Sequence, residues 1–143
     1  MHAVVFESIA QGNSFIAEVE TPTLLIANSV NETTNFTKWL HDIDITSQLR
    51  KTNFNTHLVI AVFSGKKGSS GYSITINEIF TALKEVMLVV NLIKPEPGQR
   101  VQEVITYPYH IILLPKNDLQ ITPGTIWNVY SSEGVLLTKT IYP

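Results

Sequence analysis

The densest group of residues with possible chemistry is the glycine-rich stretch Gly65–Tyr72, whose sequence is GKKGSSGY. Glycines and lysines in such a stretch can hold a phosphate, because backbone amides and an ammonium group surround the anion. A P-loop, however, has its last glycine followed directly by Lys and by a Ser or Thr that opens a helix. Here the lysines come first and Gly71 leads into a strand-like sequence. We therefore interpret the stretch as a β–β turn.

The four histidines do not form a recognisable metal-binding pattern. They are His2, His41, His57 and His110. None shows the close spacing of a helical or hairpin site, and no carboxylate lies near them in a familiar ligand pattern. One arrangement stays open, since His57 and His110 would be neighbours if the two strands they open pair side by side. The chain has no cysteine, which removes thiolate ligands, thiol nucleophiles and disulfides. We expect no metal site and no bound cofactor.

The sequence supports acid–base or nucleophilic catalysis no better than it supports a metal site. No Gly-x-Ser-x-Gly elbow is present, so a Ser–His–Asp triad would have no sequence basis. The close carboxylate pairs, Glu18 with Glu20 and Asp42 with Asp44, are two residues apart. Catalytic carboxylates of glycosidases usually come from separate strands or loops, so these pairs are interpreted as solvated surface. The sequence predicts no catalytic residue and no enzyme.

The amino-acid composition indicates which classes of partner the chain could bind. The apolar fraction is 44% and the charged fraction 15%, below the roughly 25% of typical domains. Either the core is generous, or apolar residues such as Phe15, Trp39 or Trp127 lie on an exposed interface. The net charge is −2 and Lys66–Lys67 is the only adjacent basic pair, which argues against nucleic acid. No apolar run reaches the roughly 18 residues of a membrane span, and no signal peptide opens the chain.

The elements that would position these residues are mostly strands, and we expect residues 1–143 to form a single domain. Ser29 and Glu32 have the spacing of a capping box, and apolar residues recur with helical period behind them, so a helix is predicted near residues 30–41. Residues 79–87 stay open between a helical turn and a loop. Strands are predicted at residues 3–6, 23–27, 57–63, 72–77, 87–93, 101–107, 111–114, 126–130 and 135–141.

Runs that are apolar throughout, at 57–63 and 111–114, predict central strands, whereas the alternating segment 72–77 should lie nearer an edge. Two hairpins are expected, one from 87–93 to 101–107 with Gly98 at its reversal, the other from 126–130 to 135–141 with Gly134 in its loop. Pro108 predicts a bulge, a bend between sheets or an edge. The fold class is therefore mainly β (α+β), an antiparallel β-sandwich or open barrel with one short helix.

Four segments together resemble a known family. They are HLVIAVFSG, KKGSSGYSI, PEPGQRVQEV and ITYPYHIILLPK, and their order is similar to that of the PrcB C-terminal domain family, named after a subunit of a bacterial surface protease complex. The resemblance covers about residues 57–116, with 1–56 adding N-terminal strands and a helix and 117–143 a closing hairpin. It implies a non-catalytic domain, often exported or attached to the cell envelope, that helps to assemble or stabilise a protease complex. The sequence itself leaves the compartment undetermined.

Three functions remain as hypotheses. The first is a protein-interaction module; its contact residues are predicted as Lys67, Ser69, Ser70, Gly71, Tyr72 and Pro97. This hypothesis gives structural roles to Gly65, Gly98, Pro108 and Gly134. The second is a protease inhibitor that acts through the Gly65–Tyr72 turn. The third is a small-ligand binder or unrecognised enzyme with a pocket inside the sandwich or barrel. A homo-oligomer formed through an exposed edge strand is also compatible with the sequence.

Overall fold

The computed structural model describes residues 1–119 and 122–142 and contains nine strands and two α-helices within them. In chain order they are β1 (His2–Ala3), β2 (Glu7–Ser14), β3 (Thr23–Ala27), α1 (Val30–Thr37), α2 (Ile43–Arg50), β4 (His57–Phe63), β5 (Ser73–Ala82), β6 (Glu85–Ile93), β7 (Tyr107–Pro115), β8 (Ile126–Ser131) and β9 (Leu136–Ile141). A single 3₁₀ turn, Lys116–Asp118, follows β7.

The strands form two sheets. Sheet I has the order β1-β5-β6-β8-β9, and sheet II has the order β2-β7-β4-β3. Neighbouring strands are antiparallel except β6 and β8, which run parallel. The predicted sandwich is confirmed, and the described strands do not close into a barrel. No helix in residues 1–119 or 122–142 is long and apolar enough to cross a membrane.

Sheet II is covered on both faces. One apolar cluster lies between the two sheets and contains Leu58, Ile60, Leu88, Ile112 and Trp127. A second lies between sheet II and the two helices and contains Val59, Phe63, Ile111, Phe36 and Leu49. Alternate residues of β4 and β7 therefore enter different clusters, which explains why both strands are apolar throughout. Their predicted central positions are confirmed.

The predicted single helix is in fact two. Ser29 caps α1 by accepting a hydrogen bond from the amide of Glu32 at 3.2 Å, as the sequence indicated. The helix ends at Thr37, and the chain turns through His41, whose φ is +47°. Asp42 then caps α2 through its carboxylate, which accepts from the amide of Ile45 at 3.0 Å. Asp42 is thus a helix cap rather than merely part of a solvated acidic pair.

Several strand predictions need correction near the N-terminus and in the middle of the chain. The strand predicted at 3–6 is reduced to His2–Ala3, and the eight-residue β2 was missed because its sequence, ESIAQGNS, has few apolar residues. Segment 79–87 is neither a helical turn nor a loop. It completes β5, reverses at Leu83–Lys84 and starts β6, with Ala82 opposite Glu85. As predicted, β5 lies near an edge, beside the two-residue β1.

The hairpin predicted from 87–93 to 101–107 is wrong. β6 pairs with β5 and β8, and residues 94–106 cross from sheet I to sheet II. Pro95 and Pro97 cannot donate to a ladder, so this segment makes only one strand-like bridge, between Lys67 and Thr106. The closing hairpin from β8 to β9 is confirmed, and Gly134 in its loop has a φ of +85°.

Pro108 lies neither at a bulge nor at an edge, since it is the second residue of central strand β7 and pairs with Asn13 without a register shift. Its carbonyl accepts from the amide of Ser64 at 2.9 Å. The N–H and C=O of a residue in an antiparallel strand point to the same neighbour. The position that an N–H would occupy at Pro108 therefore faces Ser64, which is one residue past the end of β4. The ladder stops there, so the missing donor breaks no hydrogen bond between the two strands.

A polar contact ties Tyr142, the residue that follows β9, to α1. The Tyr142 hydroxyl donates to the Glu32 carboxylate at 3.0 Å, and burial together with this hydrogen bond raises the pKa of Tyr142 to about 12. The folded state therefore holds the phenolic proton more tightly than the unfolded chain, whose tyrosine has a pKa near 10. Stability from this contact is complete below pH 10 and is lost as the pH rises towards 12.

We expect Tyr142→Phe to lower the free energy of unfolding by about 1 kcal/mol at pH 8, because solvent screens this partly exposed pair. The difference between the variant and the wild type should disappear by about pH 12. Urea unfolding at pH 8, 10 and 11.5 measures this difference. Tyr130→Phe is the control, because the Tyr130 hydroxyl has no hydrogen-bond partner among the residues that the structure describes. A difference that does not change with pH would contradict the contact.

Candidate contact site

Two loops meet at one end of the sandwich and form a continuous surface, which we call the loop lobe. It consists of the turn 65–72, which joins β4 to β5, and the connection 94–106, which joins β6 to β7. The interpretation of residues 65–72 as a β–β turn is confirmed, because a strand precedes it and a strand follows it. The pairing partner of this turn, the connection 94–106, was not predicted.

Hydrogen bonds hold the two loops together. The amides and carbonyls of Lys67 and Thr106 bond reciprocally, both at 2.9 Å. The amide of Ser70 donates to the carbonyl of Gln102 at 3.0 Å, and the Ser70 hydroxyl accepts from the Gln102 amide at 2.9 Å. The fully buried hydroxyl of Thr106 donates to the Ser69 carbonyl at 2.9 Å. The lobe is therefore fixed internally, which reduces the entropy cost of presenting it to a partner.

Glycines are required at specific places in the lobe. Gly65 has a φ of +93°, and a Cβ atom there would lie 2.8 Å from the carbonyl oxygen of Glu20. At Gly71 a Cβ would lie 2.5 Å from Cβ of Pro95, so the turn packs directly on the connection. Gly98 has a φ of +82° and follows Pro97, and the amide of the next residue bonds back to Glu96, as in a type II turn.

The six predicted contact residues separate into two groups. Ser69 is buried and Gly71 is covered by the connection, so both serve the interior of the lobe. Lys67, Ser70 and Tyr72 are half-buried, and Pro97 is exposed at the tip of its turn. The Nζ of Lys67 lies 5.6 Å from the centre of the Tyr72 ring, a cation–π distance.

The lobe also offers surface that the sequence analysis did not assign to it. Lys66 and Gly68 are exposed at the tip of the turn. Four exposed apolar residues lie at the same end of sheet II, namely Phe15, Ile16, Val104 and Ile105, with exposed fractions between 37% and 61%. The first two follow Ser14, whose partner in the ladder is Tyr107, the residue after the connection. The sequence does carry a sign of this surface. Apolar residues occur side by side at 15–16 and at 104–105, in segments that lie outside the named strands.

Of the aromatic residues expected on an exposed interface, only Phe15 is exposed. Trp127 is fully buried between the sheets, and Trp39 is half-buried with its ring edge-on to Phe63 at 5.3 Å. The charge of the lobe differs from that of the whole chain. Lys66, Lys67, Lys94 and Arg100 outnumber Glu96 and Glu103, so the lobe carries a net charge of +2 whereas the chain carries −2.

The histidines do not come together. His57 lies opposite Pro115 and His110 lies opposite Val62, so the two rings are at different heights along the paired strands and the remaining metal arrangement is wrong. Within residues 1–119 and 122–142, no group of three His, Asp or Glu side chains could hold a metal ion. His110 is instead buried between the sheets, where its ring bonds to the amide of Ile76 and to the hydroxyl of Ser8, both at 2.9 Å.

A cavity of about 640 Å³ lies at the surface beside α2, lined by His41, Asp42, Ile43, Thr46, Ser47 and Arg50. One of its charged groups, the Asp42 carboxylate, is already engaged in capping α2. The space between the sheets is filled mainly by apolar side chains, with the His110 ring among them. The described residues therefore give the hypothesis of a pocket inside the sandwich no support.

One part of the chain matches a family model. No curated protein and no solved structure matches the chain. The matched family segment runs from β4 to β7 and so includes both loops of the lobe. It agrees with the resemblance predicted over residues 57–116 to within one residue at each end. Residues 58–115 of this chain match the family model described as PrcB C-terminal.

Proposed function

We propose that this chain is a non-catalytic interaction module that helps to assemble or stabilise a bacterial protease complex, with the loop lobe as its contact surface. One observation carries the proposal. The two loops are bonded to each other through Lys67, Ser69, Ser70, Gln102 and Thr106, so their exposed parts are held in one arrangement before a partner binds. The family match supports it, since the matched segment includes both loops and the family suggests a domain related to a protease complex.

The surface chemistry of the lobe suggests what the partner presents. Interfaces use apolar anchors at their centre and polar groups at their rim. The lobe offers Val104 and Ile105 beside Phe15 and Ile16, with exposed cations nearby, among them Lys66. A partner segment with apolar side chains and an acidic flank fits this combination.

The experiment is site-specific photo-crosslinking in the source organism. A photoreactive amino acid replaces Gly68 or Pro97, which are exposed at the tips of the two loops, and Ile43 on α2, which is 85% exposed, serves as the control. We expect adducts at the first two positions that contain a protease or a subunit bound to one. Equal adducts at Ile43, or none from the lobe, would overturn the proposal.

Protease inhibition through the Gly65–Tyr72 turn stays as the alternative hypothesis. An inhibitory loop must enter the active-site cleft of its target, but Ser69 is buried and Gly71 is covered by Pro95. Within this turn only Lys66 and Gly68 are exposed, which gives the alternative less support. Assays with cysteine and serine proteases at micromolar concentrations of the domain distinguish the two functions, since the interaction module leaves every activity unchanged.

A further inference from the structure

One face of the sandwich has no covering layer in the part of the chain that the structure describes. The helices pack on sheet II, and no helix or strand among residues 1–119 and 122–142 lies over the outer face of sheet I. The cross-strand register places seven apolar side chains on this face, and none of them is buried: Phe80, Met87, Val89, Ile126, Tyr130, Leu136 and Ile141. We call this surface the outer face.

The sequence of β6 is unusual for a strand with one face in water. Val86, Leu88 and Val90 point between the sheets and are buried, while Met87 and Val89 point to the outer face. A strand that borders water normally alternates apolar with polar residues, and a strand covered on both faces is apolar on both. The pattern of β6 therefore indicates that the outer face is covered in the functional state.

Charges of opposite sign on the two halves of the outer face indicate what covers it. Lys139 lies on β9, while Glu85 lies on β6 and Glu78 on β5. In the register, Lys139 is opposite Asn128, which is opposite Met87, which is opposite Phe80, so these four side chains form one row across the sheet. Glu78 and Glu85 lie in the rows on either side of this one.

A two-fold rotation about an axis parallel to the strands places β9 of a second copy over β5 of the first. Lys139 of the second copy then lies over the row of Phe80, between the rows of Glu78 and Glu85, and the same contact forms in the reverse direction. Such self-complementarity is what a symmetric dimer interface requires. We propose that the outer face is the interface between two copies of this chain, packed sheet against sheet, with Lys139 of each copy paired with Glu78 and Glu85 of the other.

The area of the outer face indicates how tightly the two copies should associate. Four strands spaced about 4.8 Å apart and about six residues long cover roughly 19 by 20 Å, or about 400 Å² of flat area. Standard interfaces bury about 800 Å² per partner. Even with the relief of the side chains, this interface is at the small end, so we expect a concentration-dependent dimer with a dissociation constant in the micromolar range.

The test is analytical ultracentrifugation of the full chain between about 1 and 500 µM. Lys139→Glu should weaken the dimer at least tenfold, because it sets carboxylates against carboxylates. Adding Glu78→Lys to that variant restores the opposite charges and should recover most of the affinity. Lys51→Glu is the matched control, since Lys51 is an exposed lysine that follows α2.

Several outcomes would overturn this proposal. They are a wild-type chain that is monomeric at every concentration, equal effects of Lys139→Glu and Lys51→Glu, and a double variant that is no tighter than Lys139→Glu alone. A monomeric chain whose outer face binds a different protein would also overturn it. Circular dichroism of each variant separates lost association from lost folding. Photo-crosslinking at the loop lobe tests a different surface. The proposed contact function of the lobe and the proposed dimer can therefore fail independently of each other.

Discussion

We expect Gly65→Ala to lower the free energy of unfolding by about 2–4 kcal/mol. Two costs combine, because the φ of +93° is strained for any residue with a Cβ, and the new Cβ would meet the Glu20 carbonyl oxygen at 2.8 Å. A strained backbone conformation costs about 1–3 kcal/mol, and forcing an atom into a packed site costs a similar amount. For a domain of this size the melting temperature should fall by roughly 5–15 °C.

The position of Gly65 explains why the clash has no easy relief. The contact is with backbone atoms of Glu20 and Thr21 rather than with a mobile side chain. The next amide, that of Lys66, donates to the same Glu20 carbonyl at 3.2 Å, so a shift that relieves the clash also breaks this bond. The loop lobe begins at this point, and its hydrogen bonds to the connection 94–106 should weaken with it.

Gly68→Ala is the matched control. It lies three residues further along the same turn, and a Cβ there would meet no atom within 4 Å. We expect its effect to stay within about 0.5 kcal/mol, as for most surface substitutions. Thermal and urea unfolding of the two variants measure the comparison. Equal destabilisation would show that the turn requires flexibility in general rather than the one conformation described at Gly65.

The sequence predicted those parts of the fold in which local pattern and tertiary environment agree. The strand 57–63 is apolar at every position because its two faces enter different clusters, and its bounds are those of β4. Ser29 and Glu32 marked the start of α1 because a helix cap is a local interaction. The family segment was likewise predictable, since its motifs are continuous in the sequence.

The errors come from interactions between residues distant in the chain. β2 has few apolar residues and is a strand because it pairs with β7 over the register from Glu7 to Ser14. The connection 94–106 resembles half of a hairpin by composition, yet its partner is the turn 65–72. For the same reason Ser69 and Gly71 were predicted as exposed contact residues, although a connection some 30 residues later in the chain covers them.

His110 joins three strands and both sheets. It lies on β7, its Nδ1 accepts from the amide of Ile76 on β5, and its Nε2 donates to the hydroxyl of Ser8 on β2. A ring nitrogen that accepts from an amide cannot carry a proton, so the ring is neutral and its tautomer is assigned. No strand pairs with β5 at Ile76 on this side, and the histidine ring takes the place of one.

Replacing His110 with leucine should therefore cost about 2–4 kcal/mol of unfolding free energy. The volume of the side chain is nearly kept, but the amide of Ile76 is left buried without an acceptor, and an unmet buried donor costs about 1–3 kcal/mol. The Ser8 hydroxyl loses its partner as well. His2→Leu is the control, because His2 is exposed on β1. Urea unfolding at pH 7.5 compares the two variants. An equal loss of unfolding free energy in both would contradict the role given to His110.

The same geometry predicts how stability depends on pH. Burial lowers the pKa of His110 below its usual 6.5, and no charged side chain bonds to either ring nitrogen to oppose this. Below pH 6.5 the unfolded chain thus binds a proton that the folded chain does not, so unfolding becomes more favourable as the pH falls. The contribution is complete above pH 6.5 and is lost as the pH drops through the folded pKa. Unfolding curves between pH 7.5 and 5 should show this slope in the wild type and in His2→Leu, and a smaller slope in His110→Leu. A slope that His110→Leu retains in full would mean that other groups, such as the carboxylates, set the acid sensitivity of this fold.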